Sequence, residues 1–299
     1  MPSNYFLSSL YNPGFFFSLS FQINMAYAYD NEEFTRYYDA FVAEHVSPDV
    51  YWTDTLDQIY TDVIQRTIID DQCTNIIELG CGTGENLLNL QKNFLDKNVK
   101  FIGIDHSNAM LTRAKEKLIK QTNNSIEFLH GNLTNFSECL ETKLIDCILL
   151  PAGTYHHLIT DDQRQQFLIN LKQTLRPETG LFLLYLLPDS LIHIDAIQNP
   201  DSHEKFQLIS TENTQQTNGE WICKQIFEFN VPPKIKLSWQ LRTCVIENLI
   251  QLFLENNFEV CFCCLNGKEL RIYNNDVLST LNHLSTPIIL VFRIIKHTN

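Results

Sequence analysis

The sequence predicts an α/β fold: a doubly wound, seven-stranded, mostly parallel sheet with helices on both faces, preceded by N-terminal helices. From Asn75 to Leu187, apolar strand-like runs alternate with amphipathic helical segments. That alternation is typical of a parallel sheet covered on both faces. After Leu187 three strand-like segments follow one another, which predicts an antiparallel β-meander inserted after strand 5 as a lid.

The first strand of this sheet runs directly into a glycine-rich turn, Ile76–Asn86 (IIELGCGTGEN). Three of the chain's ten glycines, Gly80, Gly82 and Gly84, lie within five positions, and an amphipathic segment follows at once. Glycine permits positive φ and carries no Cβ, so a ligand can lie against the backbone. The order of strand, tight turn and helix N-terminus favours a binding site over an ordinary βα turn.

The glycine spacing separates two classes of ligand. Dinucleotide sites use Gly-x-Gly-x-x-Gly, with the pyrophosphate at the helix N-terminus. Here Gly84 comes one residue early and Glu85 occupies the place of the third glycine. A carboxylate there repels a pyrophosphate, which argues against a nicotinamide oxidoreductase. The acidic Glu78, two residues before the first glycine, suits a ligand with an amino group and no phosphate.

At this point the chain resembles the class I S-adenosylmethionine-dependent methyltransferases, whose first motif is acid-x-Gly-x-Gly-x-Gly at the end of the first strand. Glu78 and the turn Gly80–Gly84 match that motif at every specified position. The resemblance implies S-adenosyl-L-methionine as cofactor, no metal, and in-line transfer of a methyl group. In element order it covers roughly residues 32–297, with specific motifs at Glu78–Asp105 and weaker ones at Asn132–Pro151.

The residues after the next two strands extend this resemblance. Asp105 ends the second strand about twenty residues beyond the turn, where a Rossmann-like site places an acid for ribose hydroxyls. Met110 lies in the first turn of a helix that Ser107 caps; packing against adenine and a plain helix-core role are both open. Asn132 replaces the family's usual acid for the adenine amino group, and its side-chain oxygen can still accept that hydrogen bond. The resemblance implies these cofactor-binding residues: Tyr38, Glu78, Gly80, Cys81, Gly82, Gly84, Asp105, His106, Met110, Asn132, Leu133 and Leu150.

Two helices are expected before the first strand. Glu32–His45 has apolar residues at helical spacing, and Asp54 is a plausible N-cap for a helix through Ile69. In the family such helices lie over the cofactor and often carry a Tyr-Asp pair, which Tyr38-Asp39 resembles; a core aromatic is the alternative for Tyr38. Residues 1–30 form a poorly determined extension, with Met25 as a possible initiator. The predicted division is therefore 1–30, a methyltransferase domain over 31–187 and 243–299, and a lid over 188–242.

The remaining elements follow from periodicity and turn signals. Asn218-Gly219 indicates a hairpin in the lid, and Thr160 or Asp161 is expected to cap a helix that Pro177 ends. Further strands are predicted at Ile126–Gly131, Leu144–Leu150, Gly180–Leu187, Glu204–Ser210, Trp221–Phe229, Lys234–Leu241, Phe258–Leu265 and Pro287–Lys296.

Composition narrows the function classes. A net charge of −13 argues against a nonspecific nucleic-acid binder and an anionic membrane surface. No stretch is apolar enough over about 20 residues to span a membrane, and we expect a cytoplasmic protein. Nine scattered cysteines favour reduced core thiols over metal or redox chemistry. On a predicted strand Cys261 and Cys263 share one face and Cys264 points the other way.

The acceptor is expected beyond the carboxyl ends of the first and fourth strands, near Pro151–His157 and under the lid. Tyr155 and His156 are the candidates to orient or deprotonate it; packing at the start of a helix is the alternative, and His157 is a weaker candidate.

The chain lacks the Asn/Asp-Pro-Pro-aromatic motif of DNA amino-methyltransferases after the fourth strand. These features predict methyl transfer to an N or O atom of a small molecule. A non-catalytic binding or scaffolding module and a protein-directed methyltransferase are the alternatives.

Overall fold

A computed structural model describes residues 26–45, 53–68, 72, 74–120, 126–141, 144–192, 206–230, 234–265, 268–270 and 287–295. The strands are β1 Ala26–Tyr27, β2 Thr74–Leu79, β3 Val99–Asp105, β4 Ile126–His130, β5 Cys147–Leu150, β6 Leu181–Leu186, β7 Phe206–Gln215, β8 Trp221–Phe229, β9 Ile235–Arg242, β10 Phe258–Leu265, β11 Lys268–Leu270 and β12 Ile288–Ile294. The helices are α1 Glu32–His45, α2 Thr53–Gln65, α3 Glu85–Leu90, α4 Asn108–Ile119, α5 Asp161–Thr174, α6 Asp189–Ile192 and α7 Ile246–Glu255. None of these helices is long and apolar enough to cross a membrane.

The main sheet has the strand order β11-β10-β12-β6-β5-β2-β3-β4. Strands β2 to β6 pair in parallel, and β12 is antiparallel to both β6 and β10. This confirms the predicted doubly wound sheet with an antiparallel closing strand. The short β11 adds an eighth strand at the edge, which the sequence pattern does not indicate.

Both faces of the sheet are covered because its strands are apolar on both sides. In β5, Ile148 and Leu150 pack with α5 and α7, whereas Cys147 and Leu149 pack with α2, α3 and α4. Successive strand side chains point to opposite faces, so one continuous apolar run supplies two cores. Because the helices take both faces, the carboxyl edge of the sheet is where a ligand has access to the loops.

The inserted lid is a second sheet, in which β8 pairs antiparallel with both β7 and β9. Gly219, at a φ of +87°, lies in the connection between β7 and β8, as the Asn-Gly signal predicts. Residues 26–30, which the sequence places in a loose extension, belong to this sheet's neighbourhood: β1 pairs in parallel with β9, Ala26 opposite Leu237. The chain before residue 26 lies outside the described residues.

A buried ionic network ties the lid to α5. Glu220 accepts from Arg164 Nη1 at 2.9 Å and from Arg242 Nε at 2.7 Å, and all three side chains are nearly inaccessible. Arg164 Nη2 also donates to the Thr243 carbonyl at 3.1 Å. Removing one partner of such a buried network leaves an uncompensated charge, so the lid base is held firmly against the main domain.

Three local predictions are wrong in detail. Helix α2 begins at Thr53, so Asp54 lies inside the helix and is not its N-cap. Helix α5 ends at Thr174, before the Arg-Pro pair. A bulge between Val260 and Phe262 shifts the register of β10, and it places Cys261 with the core cluster of Cys264, opposite Cys263.

Candidate active site

A cavity of about 190 Å³ opens at the carboxyl ends of the parallel strands. Its walls come from the residues that follow β2, β3, β4 and β5, together with the N-terminal segment. The lining residues are Tyr29, Tyr38, Gly80, Gly82, Ile104, Asp105, His106, Met110, Gly131, Asn132, Leu133, Ala152, Thr154, His157, Leu158 and Gln163. Eight of the twelve predicted cofactor residues are in this set, so the structure brings most of the predicted site together.

The glycine turn has the conformation that its sequence requires. Gly80, Gly82 and Gly84 have φ values of +70°, +53° and +75°, a region that residues with a Cβ rarely adopt. A Cβ on Gly82 would lie 3.9 Å from Tyr38 Cε1, its nearest neighbour, within the cavity wall. By contrast, a Cβ on Gly84 would lie 2.6 Å from the Phe128 ring. Gly82 therefore keeps the cavity open, whereas Gly84 allows the turn to pack on the sheet.

Asp105 joins the glycine turn to the start of α4. Its carboxylate accepts the Gly82 amide at 2.8 Å through Oδ2 and the Ser107 amide at 2.8 Å through Oδ1. The side chain is 7% exposed and lines the cavity. Burial raises the pKa of this carboxyl, and the two amide hydrogen bonds partly offset that effect. Asp105 thus has fixed orientation and a polar edge toward the cavity.

Ser107 and Tyr29 connect the start of α4 to β9 of the inserted sheet. The Ser107 hydroxyl accepts the Met110 amide as the predicted N-cap, and it donates to the Tyr29 carbonyl at 2.6 Å. The Tyr29 ring stacks on Trp239 of β9, with centroids 6.0 Å apart, and meets His157 edge-on at 5.5 Å. Sequence reasoning missed Tyr29, because its place in the site depends on pairing between β1 and a strand about 210 positions later.

The residues that the resemblance assigns to adenine also line the cavity. Met110 is 1% exposed and lines the cavity with Gly131, Asn132 and Leu133. The Asn132 oxygen accepts the Thr134 amide at 3.1 Å. The Thr134 hydroxyl donates to the same oxygen at 3.3 Å, so two hydrogen bonds hold the Asn132 amide in place and occupy both lone pairs of its oxygen.

Glu78 lies beneath the turn and does not line the cavity. It is 2% exposed and accepts from Asn86 Nδ2 at 3.0 Å. Burial raises its pKa to about 8, and the Asn86 hydrogen bond opposes that rise. Glu78, predicted to bind the cofactor, thus lies behind the cavity wall, because the strand end points this side chain into the protein.

Three further predicted residues support the turn from behind it. Cys81, Gly84 and Leu150 are buried and absent from the cavity wall. Burial raises the pKa of the Cys81 thiol, so it is an inert core group. Their role is packing, because Cys81 belongs to one core cluster and Leu150 to the other.

The two predicted catalytic residues do not reach the cavity. Tyr155 is fully buried against Phe167, at 5.9 Å between centroids, and burial raises its pKa. His156 is also fully buried; its Nδ1 lies 2.8 Å from the Arg242 carbonyl, and its Nε2 accepts the Leu187 amide at 3.1 Å. Burial lowers the pKa of His156 to about 3. Both predicted catalytic residues are therefore corrected to structural residues: His156 contacts the inserted sheet at Arg242, and Tyr155 packs in the core of the main sheet.

Their neighbours on the same turn face the cavity instead. Thr154–His157 is a 3-10 helix, in which residues three apart share a face. Thr154 and His157 accordingly line the cavity. His157 Nδ1 lies 3.2 Å from the Gln240 carbonyl of the lid, and desolvation lowers the pKa of this ring. His157 is neutral near pH 7.

The residues present fit S-adenosylmethionine. A Gly82 Cβ would enter the cavity, and the buried Asp105 carboxylate lines it next to the Gly82 amide. This nucleoside requires an acid that can accept from the ribose hydroxyls and an apolar surface for adenine, such as Met110. It also requires a backbone turn without side chains that would occupy the cavity. Within the described residues, no group of three or more His, Cys, Asp or Glu side chains is placed to hold a metal ion.

Comparisons with known proteins agree with this geometry. Residues 76–178 match a family model described as a methyltransferase domain. An uncharacterized methyltransferase from Oceanobacillus iheyensis is 33% identical over 117 residues, which are 39% of this chain and 49% of that relative. The chain thus spans about half the length of the curated relative it matches.

Two solved structures share the fold over most of the chain. A S-adenosylmethionine-dependent methyltransferase from Clostridium acetobutylicum is 13% identical, with 88% of this chain and 98% of that chain covered at a TM-score of 0.62. CalS10, an amino pentose methyltransferase from Micromonospora echinaspora solved with its methyl donor, is 15% identical, with coverages of 86% and 96% at a TM-score of 0.55. Identities this low show the fold alone. The chain is therefore similar to methyltransferases over residues 76–178, and its fold is that of S-adenosylmethionine-dependent methyltransferases of known structure.

Proposed function

We propose that this protein transfers a methyl group from S-adenosylmethionine to an N or O atom of a small molecule. The observation that carries the proposal is the Asp105 carboxylate, which is fixed by the Gly82 and Ser107 amides at the edge of the cavity. S-Adenosylmethionine supplies an activated methyl on a sulfonium. The protein therefore needs to bind, orient and exclude water, and proximity and orientation provide much of the rate.

Each part of the site has a role in this proposal. Asp105 accepts from the ribose hydroxyls, and Met110 and Leu133 cover the adenine. Tyr38 closes the cavity over Gly82, and Tyr29 separates the cofactor half from the lid. Glu78 lies beneath the turn with its pKa raised to about 8, and the ammonium group of a ligand bound nearby would favour its ionised form.

The acceptor side favours an uncharged or amine substrate. None of the residues that line the described cavity is Lys or Arg, which disfavours a phosphorylated acceptor. CalS10 acts on an amino pentose, and its similarity supports a small acceptor with an amino group. His157, neutral and in the cavity wall, is the residue that we propose to orient the nucleophile or accept its proton.

The same experiment tests two alternative functions. A module that binds the cofactor without turnover shares every feature of the cofactor half, and a protein-directed enzyme could use the lid as a docking surface. The test is to incubate the protein with methyl-labelled S-adenosylmethionine and panels of amino sugars, other small amines and protein extracts, and to measure S-adenosylhomocysteine formation. Cofactor binding without labelled product in any panel contradicts the proposal and supports a binding module.

A further inference from the structure

A polar cluster clips the N-terminal helix to the glycine turn. Lys117 Nζ of α4 lies 2.7 Å from Asp39 Oδ2 of α1, and it donates to Thr83 Oγ1 at 2.9 Å and to Glu85 Oε2 at 2.8 Å. The Thr83 hydroxyl in turn donates to the other Asp39 oxygen. One ammonium group therefore joins three segments: α1, the turn and the start of α3. We call these four residues the latch.

The latch lies next to the part of the site that α1 covers. Tyr38 precedes Asp39 and lines the cavity above Gly82, and Thr83 follows Gly82 in the turn. Lys117 is on the helix whose first turn supplies Met110 to the same cavity. The position of Tyr38 over the turn is thus coupled to a single lysine, which itself does not line the cavity.

The contacts of the latch are weak enough for α1 to move away from the turn and return. The side chains of Lys117, Asp39 and Glu85 are 20%, 35% and 62% exposed. Ion pairs this accessible are individually weak and are screened by salt. The contacts of Asp39 with Lys117 and Thr83 bias α1 toward the turn, and their accessibility lets water replace them when the helix moves away.

Resting on the proposed function, we propose that Lys117 is a positioning residue that holds α1 closed over the cofactor. Loss of its contacts is then the event that releases the demethylated cofactor. The network contains no group that reacts, so Lys117 acts through Asp39 and Thr83 on the placement of Tyr38. The acceptor does not enter this argument.

The test compares Lys117→Met with Lys115→Met and Lys117→Arg. Lys115 is exposed on the same helix and outside the latch. Its substitution makes the same change in net charge and is therefore the control. In the ligand-free protein, hydrogen exchange of residues 32–45 is expected to become several-fold faster in Lys117→Met alone. Dissociation of S-adenosylhomocysteine, followed by stopped flow, is expected to become about tenfold faster, equivalent to about 1.4 kcal/mol.

Two further results distinguish a latch from general stabilisation. Raising salt is expected to speed dissociation in the unsubstituted protein and to have little effect in Lys117→Met, while Lys117→Arg restores slow dissociation. Equal exchange over residues 32–45 in Lys117→Met and Lys115→Met overturns the proposal. If S-adenosylhomocysteine does not bind at all, the proposed function fails, whereas the exchange comparison on ligand-free protein still decides the latch.

Discussion

Replacing Asp105 by Ala is the sharpest test of the cofactor site. The carboxylate is buried at the cavity wall and accepts two amides at 2.8 Å, so its oxygens are held in place before any ligand arrives. Hydrogen bonds to a charged group contribute about 1.5–3 kcal/mol. The loss of those made to a ribose is therefore expected to raise the Kd for S-adenosylhomocysteine by about 10- to 150-fold.

The same substitution also affects folding, and the design separates the two effects. Removing the acceptor of the Gly82 and Ser107 amides is expected to lower the free energy of unfolding by about 2–3 kcal/mol. Asp146 is a matched control at the opposite edge of the sheet, just before β5. It is buried and accepts the Asn75 amide at 2.8 Å and Arg176 Nε at 2.6 Å.

The assay is calorimetric titration of each folded variant with S-adenosylhomocysteine, alongside urea unfolding without ligand. Asp146→Ala is expected to lose stability with its affinity unchanged, and Asp105→Ala to lose both. Asp105→Asn keeps the shape and one acceptor oxygen, and should lie between the unsubstituted protein and the alanine variant. A Kd for Asp105→Ala within twofold of the original, or an equal loss in Asp146→Ala, refutes the placement of the ribose.

Three other substitutions probe the turn and the buried titrating groups. Gly82→Val places a side chain in the cavity at a φ of +53°, so binding of S-adenosylhomocysteine should weaken at least about 100-fold in calorimetry through steric exclusion; retained affinity contradicts a cofactor pressed against this turn. The pKa of Glu78 is raised to about 8 in the folded state, so folded protein binds a proton that unfolded protein releases, and stability falls as pH rises from 6.5 to 8. In urea titrations, the unfolding free energy of Glu78→Gln should fall less between pH 6.5 and 8. An unchanged pH dependence would contradict the raised pKa of Glu78. The pKa of His156 is lowered to about 3, so unfolded protein binds more protons below pH 6.5 and stability falls with acidification from 6.5 toward 4. His156→Gln should lose about 2 kcal/mol of unfolding free energy at pH 7 and flatten the acid limb while the folded fraction keeps its kcat; a 100-fold loss of kcat in folded variant would restore a catalytic role.

The elements that sequence patterns located well are those whose evidence is local. The observed bounds of Trp221–Phe229 and Phe258–Leu265 are the predicted ones, because an apolar or alternating run between turn signals specifies a strand without reference to the rest of the fold. The Ser107 cap and the three positive-φ glycines are likewise read from neighbours in the chain. Asp105 is likewise predicted from its place at the end of the second strand, about twenty residues beyond the glycine turn.

Which side chains point toward the cavity is decided by contacts between segments that are far apart in the sequence. Thr154–His157 contains four candidate polar side chains, and only docking of this 3-10 turn against the lid turns Thr154 and His157 toward the cavity while Tyr155 and His156 enter the core. The bulge after Val260 also depends on a distant segment, because an extra residue in one strand is defined only by pairing with the partner strand.

By itself, the sequence determined the α/β sheet, the glycine turn and the place of Asp105 at the end of the second predicted strand, because each depends on the order of residues within one strand–turn–helix unit. Tertiary structure alone decided that Tyr29 forms part of the cavity, that Glu78 lies behind the turn and that Lys117 clips α1 to it. Those facts depend on which surfaces meet after folding, and a side chain's neighbours across 34 or 78 positions are not encoded in any local pattern.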